Sequence, residues 1–282
     1  HYLETADGYA LDETATEIKI GVIGEQTAAE AKNYDGYTAQ PFEQEVITED
    51  GTAVVSIYYA RNPDTTVQDY KYLPGESLVS DEQSTLAPGV TLNKVVLFDK
   101  NGDRVEMYVT TADSTVDTVQ FYANYKNNQC AEWGMQTLSE QVAAMETNYE
   151  EPFKVVAGIN AAYYNVTTGA PSGAFVMEGV DASTSGDSYA FFAVLKDGTV
   201  MIGKKGEYSS YKGQIKEAIG GWQHIVVDGQ IPTNLDKVTK YPRQTIGLTA
   251  DGKVIIMTAD GSQAPQTIGL TIQEQAEVML AL

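Results

Sequence analysis

Along this chain apolar side chains recur mostly in short runs with the two-residue period of β-strands, and only two segments carry the longer period of a helix. In the first 62 residues, Glu17 to Val22 and Thr52 to Ala60 alternate or cluster β-branched and aromatic residues, with turns at Asp7-Gly8, Asp35-Gly36 and Asp50-Gly51. Pro63 to Ala87 is polar, has little periodicity and contains Pro74-Gly75, which predicts a linker. From Pro88 the pattern becomes regular. Val90 to Phe98 and Arg104 to Thr110 predict two strands joined by an Asn101-Gly102 hairpin turn. Leu138, Val142 and Met145 sit at helical spacing within Thr137 to Asn148, and the apolar run Phe153 to Ile159 predicts a buried strand. Further strands carry turns at Asp197-Gly198, Asp228-Gly229, Asp251-Gly252 and Asp260-Gly261. A last helix begins at Thr271, where Thr271-Ile272-Gln273-Glu274 has capping-box spacing and Ile272, Ala276, Met279 and Leu280 form an apolar face.

These elements predict an α+β fold: a mixed β-sheet domain with flanking helices over 88–282, preceded by a linker (63–87) and a small all-β module (1–62). A length of 282 residues suits two domains. No apolar run approaches the roughly 20 residues of a membrane helix. The formal net charge of -21 repels phosphate backbones, so nucleic acid is not expected as a partner. The single cysteine, Cys130, excludes an internal disulfide and a cysteine-based metal cluster, and reads as a passive thiol. The chain starts at His1 without Met, and its last residues still show a helical pattern, so an excerpt of a longer secreted protein is expected.

Three features bear on chemistry. Asn160 follows an apolar strand pattern and precedes Tyr163-Tyr164 and the Gly169-Ala170-Pro171-Ser172-Gly173 loop, which places an amide where a pocket can open; a structural turn is the alternative. Arg243, in Pro242-Arg243-Gln244-Thr245-Ile246-Gly247, offers a fork of donors matched to phosphate or carboxylate; a surface ion pair is the alternative. Asp260 ends a strand, and the helix start at Thr271 presents free backbone donors; for the aspartate a simple turn is the alternative. His224, without a partner His or Cys, reads as structural, and Trp133 and Trp222 as packing residues with sugar stacking as the alternative. Asn165-Val166-Thr167 matches a glycosylation sequon and reads as coincidence. No run matches a calcium loop; no metal site or cofactor is expected, with a divalent cation left open.

Taken in order, Gly158-Ile159-Asn160 with Tyr163-Tyr164, Gly169 to Gly173, Val227-Asp228-Gly229, Pro242-Arg243 with Ile246-Gly247, Asp260-Gly261 and Gly269-Leu270-Thr271 resemble the phosphodiester glycosidase family, from about Pro88 to Leu282. His1-Tyr2-Leu3, Tyr34 to Thr38, Ile47 to Thr52 and Ile57 to Asn62 together resemble one mucin-binding-protein-type repeat of Gram-positive surface proteins. The first resemblance implies hydrolysis of the bond between a sugar's anomeric carbon and a phosphodiester oxygen. Arg243 would hold phosphate, Asp260 would serve as the carboxylate, Asn160 and Thr271 would contact substrate, and Gly173 would permit close backbone approach. In that family the last helix leads to an Asn-Leu-Asp-Gly-Gly-Gly-Ser-like loop. Asn234-Leu235-Asp236 is not that loop, since Lys237 follows where glycines belong, so little or no activity is expected of this stretch alone. The implied setting is extracellular, on a cell surface or wall, with a carbohydrate or sugar-phosphate polymer as partner. A non-catalytic carbohydrate-binding or adhesive module that keeps the fold is the competing reading.

Overall fold

The structure, a computed structural model, describes residues 1–5, 8–62, 71–130, 132–148 and 153–282. The first module is built on β1 (Tyr2–Thr5), β2 (Gly8–Leu11), β3 (Tyr37–Ala39) and β4 (Tyr58–Arg61), in the order β2-β1-β4-β3, with β1 and β4 parallel. Glu17 to Val22 does not form the expected strand. Ile18 and Ile20 stand in solvent (98% and 103% exposed), because strand propensity without a pairing edge or a covered face stabilises nothing. The Thr52 to Ala60 strand shrinks to β4 for the same reason. Asp7-Gly8 lies partly outside the described residues. The module's core is Leu3, Tyr37, Ile57 and Tyr59, and it takes in Phe98 from the next sheet.

That next sheet corrects the linker. Ser77–Ala87 is an eleven-residue strand, β5, paired with β6 (Val90–Phe98) across Pro88-Gly89, where Gly89 has φ +76°. It reads as a linker because it is an edge strand, whose outer positions are polar and whose pattern therefore lacks an apolar stripe. β6 and β7 (Arg104–Asp113) form the hairpin around Asn101-Gly102. α1 (Leu138–Asn148) follows, and its Thr137 and Glu140 cap each other's backbone N–H.

Phe153 to Ile159 is not a strand. Among the described residues no strand pairs with it; Val155 N donates to Glu146 Oε1 at 3.0 Å and Gly158 rests on Leu138. An apolar run with no ladder partner stays irregular, since its backbone groups need partners that only another strand supplies. After it come β8 (Tyr163–Tyr164), β9 (Pro171–Ser172), β10 (Phe175–Met177), β11 (Val180–Asp181), β12 (Phe191–Leu195), β13 (Val200–Gly203), α2 (Tyr208–Tyr211) and β14 (Ile215–Gly220). β8 and β9 pair by themselves, while the others make an antiparallel sheet ordered β11-β10-β14-β12-β13 over Val176, Phe191, Ala193, Tyr208 and Ile215.

β15 (Arg243–Leu248) and β16 (Lys253–Ala259) then return to the first large sheet, ordered β15-β16-β7-β6-β5 and antiparallel throughout. α3 (Ile272–Ala281) closes one face of it with the expected capping box. Its inner side is Gln275, Ala276 and Val278 with Met279 alongside, whereas Leu280, expected on that face, is 46% exposed. The opposite face meets the first module. There Arg61 lies over the Phe98 ring at 4.5 Å, Lys94 pairs with Asp35 at 3.3 Å, and Arg104 donates to the Asp35 carbonyl at 3.2 Å. The α+β class holds, but the mixed sheet expected over 88–282 is corrected: its pairings among the described residues are antiparallel, and β1–β4 of the first module is the parallel pair there.

One buried carboxylate gives the fold a pH dependence. Glu217 on β14 is 2% exposed and accepts N–H groups from Ala123 (3.1 Å) and Glu178 (3.2 Å). Burial pushes its carboxyl up to about 7, against which those two donors act in the other direction. A carboxyl that holds its proton more tightly folded than unfolded favours the fold at low pH. That contribution is lost as pH rises from about 4.5 through about 7. Glu217 is expected to cost roughly 2–3 kcal/mol at pH 8 relative to pH 4.5. Urea midpoints at the two pH values should show a flatter slope for Glu217→Gln than for the parent; equal slopes would refute the assignment.

Candidate active site

Three of the segments picked out in the sequence meet backbone to backbone at the start of α3. Tyr241 and Leu270 exchange hydrogen bonds at 3.2 and 3.1 Å, drawing Pro242-Arg243 against Gly269-Leu270-Thr271. Gly261 fits into the same junction: a Cβ there would stand 2.7 Å from Gly269 Cα and 2.8 Å from Pro242 N. The glycines of Asp260-Gly261 and Gly269-Leu270 are thus explained by the close approach of three chains.

Arg243 opens β15, and its guanidinium is held by carbonyls. Nε donates to Leu270 O at 3.2 Å and Nη2 to Thr239 O at 3.1 Å, with the group 5.5 Å from the centre of the Tyr241 ring. Among the described residues no carboxylate lies within ion-pair distance of it. Asp236 is near enough that the Arg243 charge adds to the Val238 and Thr239 groups that hold its carboxyl below the usual range. Thr271 is 3% exposed and committed to the helix: its hydroxyl accepts from Glu274 N, and its own N–H donates to Glu274 Oε2 at 2.9 Å. The N-terminus of α3 therefore already faces its own carboxylate, which lowers its attraction for an external anion.

Asp260 stands one residue past β16, at the same end of the hairpin as Arg243 but turned to the other face. Arg243 pairs with Ala259, whose face packs against α3, whereas Asp260 N donates to Glu106 O at 3.0 Å and continues the face of Thr258 and Tyr108. Its Oδ1 accepts from Gly261 N (2.8 Å) and Gln263 Nε2 (3.2 Å). Beside it the Tyr108 hydroxyl donates to Glu106 at 2.5 Å, and the phenol is pushed up to about 12 by Glu106, by burial and by the Asp260 charge. The structure thus sets the two residues on either side of the sheet's end. The parity follows from the length of the hairpin loop around Asp251-Gly252, which residue types alone leave open.

Asn160 and Gly173 belong to a second group. Tyr163 pairs with Ser172 and Tyr164 with Pro171, which brings the Asn160 segment to the Gly169–Gly173 loop. Asn160 is exposed, and its side chain makes no hydrogen bond among the described residues. Gly173, at φ +100°, leaves room for Tyr189, whose ring stacks on Trp222. Among the described residues no hydrogen bond or ion pair joins this group to Arg243 or Asp260. Tyr189 and Tyr241 are the site-lining residues that the sequence does not single out. Tyr189 ends a polar Ser-Gly-Asp-Ser stretch without periodicity, while Tyr241 had one signal, its place before Pro242-Arg243.

The remaining candidates are quieter. Cys130 is half-buried, its thiol pushed up by burial and by Asp181 and Glu217. Trp133 packs among Tyr125 and Phe175. His224 Nε2 is buried without a hydrogen-bond partner among the described residues. No group of three or more His, Cys, Asp or Glu among the described residues is arranged to hold a metal ion, and no helix there is long and apolar enough to cross a membrane.

Residues 153–282 match the model of the phosphodiester glycosidase family, a span that contains Asn160, Gly173, Arg243, Asp260 and Thr271. The architecture is similar to the catalytic domain of zebrafish N-acetylglucosamine-1-phosphodiester alpha-N-acetylglucosaminidase, auto-inhibited by its pro-peptide, at 18% identity and a TM-score of 0.52 over 72% of each chain. It is also similar to a hypothetical protein from Synechocystis, at 10% identity and a TM-score of 0.56, covering 72% of this chain and 56% of that one. No curated protein matches the sequence. At these identities the solved structures show a shared fold alone, and the family match is a similarity of residues 153–282 to phosphodiester glycosidases. The matched span begins after β5, β6 and β7, so its β15-β16 hairpin is completed into a sheet by strands from outside it.

Proposed function

We propose that this protein hydrolyses a sugar-1-phosphodiester, breaking the bond between the anomeric carbon and the phosphodiester oxygen. The observation that carries the reading is Arg243: a guanidinium fixed by two carbonyls, unpaired with any described carboxylate, where three segments of the matched family span converge. A departing phosphate is a weak base that needs little protonation, so a fixed cation that stabilises its charge suffices where an alcohol would demand a strong general acid. A carboxylate then steadies the oxocarbenium-like centre on the sugar. Asp260 is proposed for that role: a substrate lying across the sheet's end meets Arg243 on one side and Asp260 on the other. Asn160 and Gly173 are assigned to the sugar, and Thr271 to support of the helix end behind Arg243.

The proposed setting is extracellular, with a wall or exopolysaccharide phosphodiester as substrate and residues 1–62 as a display module. The repeat-like segments of that module support it. The test is to incubate the full-length gene product with an N-acetylglucosamine-1-phosphodiester and follow free sugar and phosphomonoester. Stoichiometric release of both is expected. Saturable binding without release, across several sugars, would instead favour a carbohydrate-binding module.

A further inference from the structure

Three aromatic rings converge beside Gly173, at the end of β14. Trp222 stacks on Tyr189 with centroids 5.5 Å apart and planes at 30°, and meets Tyr163 edge-on at 5.1 Å and 68°. Trp222 and Tyr163 nevertheless each remain 55% exposed, and Tyr164 beside them 46%. Exposed aromatic rings that touch one another form a contiguous apolar patch, and such patches mark binding surfaces far more often than scattered single residues do.

The rings are held in place. A Cβ at Gly173 would reach Tyr189 Cδ2 at 3.1 Å and Gly220 Cα at 3.7 Å, and Gly221 N donates to Ala190 O at 2.7 Å. The backbone on both sides of the cluster is therefore close-packed, and a ligand would find the surface already ordered, with little rotamer entropy left to lose. Along the chain the exposed Asn160 comes three residues before Tyr163.

We propose that Trp222, Tyr189 and Tyr163 form a stacking platform for the apolar face of a pyranose ring, the sugar half of the substrate. The proposal rests on the hydrolase reading above. A pyranose presents one C–H face of about the breadth of an indole, which suits an aromatic floor. All three rings fall within the span that matches the glycosidase family.

Trp222 supplies its own reporter. The chain has two tryptophans, so a Trp133→Phe variant leaves Trp222 as the only indole. Titrating that variant with N-acetylglucosamine 1-phosphate and with methyl N-acetylglucosaminide is expected to give a saturable emission change. In the parent, Trp222→Ala and Tyr189→Ala are each expected to raise the calorimetric Kd by roughly tenfold or more, while Tyr189→Phe retains binding. Circular dichroism of each variant checks that it is folded. Unchanged sugar affinity in folded Trp222→Ala and Tyr163→Ala variants, or saturation by a proline-rich peptide in place of sugar, would overturn the platform. Failure of the hydrolase reading looks different: sugar still binds and still depends on Trp222, but no phosphomonoester is released.

Discussion

Replacing Arg243 with alanine in the full-length gene product is expected to lower kcat/KM for a sugar phosphodiester by about two to three orders of magnitude. The size follows from the geometry. The guanidinium is anchored through Nε and Nη2 to the Leu270 and Thr239 carbonyls, so its orientation is fixed before substrate arrives and no reorganisation accompanies charge development. Because that negative charge grows as the phosphate departs, the loss should fall chiefly on kcat, with a smaller rise in KM. Arg243→Lys keeps a positive charge but cannot donate to both carbonyls and to phosphate in one plane, so it should recover only part of the rate. Steady-state kinetics of the two variants check this. Equal turnover in Arg243→Ala and parent would remove the arginine from the mechanism.

Gly269→Ala should have the largest effect on stability, a loss of roughly 4 kcal/mol or more, or failure to fold. A Cβ there collides with the Tyr241 carbonyl, backbone against backbone, and φ is +90°, where L side chains are strained. The hydrogen-bonded pair Tyr241–Leu270, the entry to α3 and the seat of Arg243 all depend on that approach. By contrast Gly229→Ala, a positive-φ turn glycine with open space around it, should cost no more than about 1–2 kcal/mol. Chemical denaturation of the two variants distinguishes a packing requirement from a purely conformational one; equal losses would contradict the junction described here.

Local signals in the sequence lead straight to local structure. Asn101-Gly102 makes the β6–β7 hairpin, Thr137 and Thr271 cap α1 and α3, and Asp197-Gly198 and Asp251-Gly252 turn two more hairpins. Each depends on contacts within a few residues. Elements that depend on a distant partner do not read out. Ser77–Ala87 hides as a linker because only one side of an edge strand is paired, while Glu17 to Val22 and Phe153 to Ile159 have strand composition and no neighbour to pair with.

The site divides in the same way. The convergence of Pro242-Arg243, Asp260-Gly261 and Gly269-Leu270-Thr271 is foreshadowed by the ordered motifs. That Arg243 and Asp260 leave opposite faces of the sheet is not, since it rests on pairing register. Thr271 illustrates a residue with two readings: the capping-box spacing that announces the helix is also what takes its hydroxyl and N–H. Trp222 packs at the rim, as one form of its packing reading has it, and its stacking partner Tyr189 is silent in the sequence.

In the proposed reaction water adds to the sugar's anomeric carbon and the phosphodiester oxygen leaves with the phosphate. Hydrolysis of an N-acetylglucosamine-1-phosphodiester in ¹⁸O-labelled water, read by mass spectrometry of both products, tests it directly. The label is expected in the released sugar, with the phosphomonoester unlabelled; label in the phosphomonoester would show cleavage at phosphorus and contradict the account.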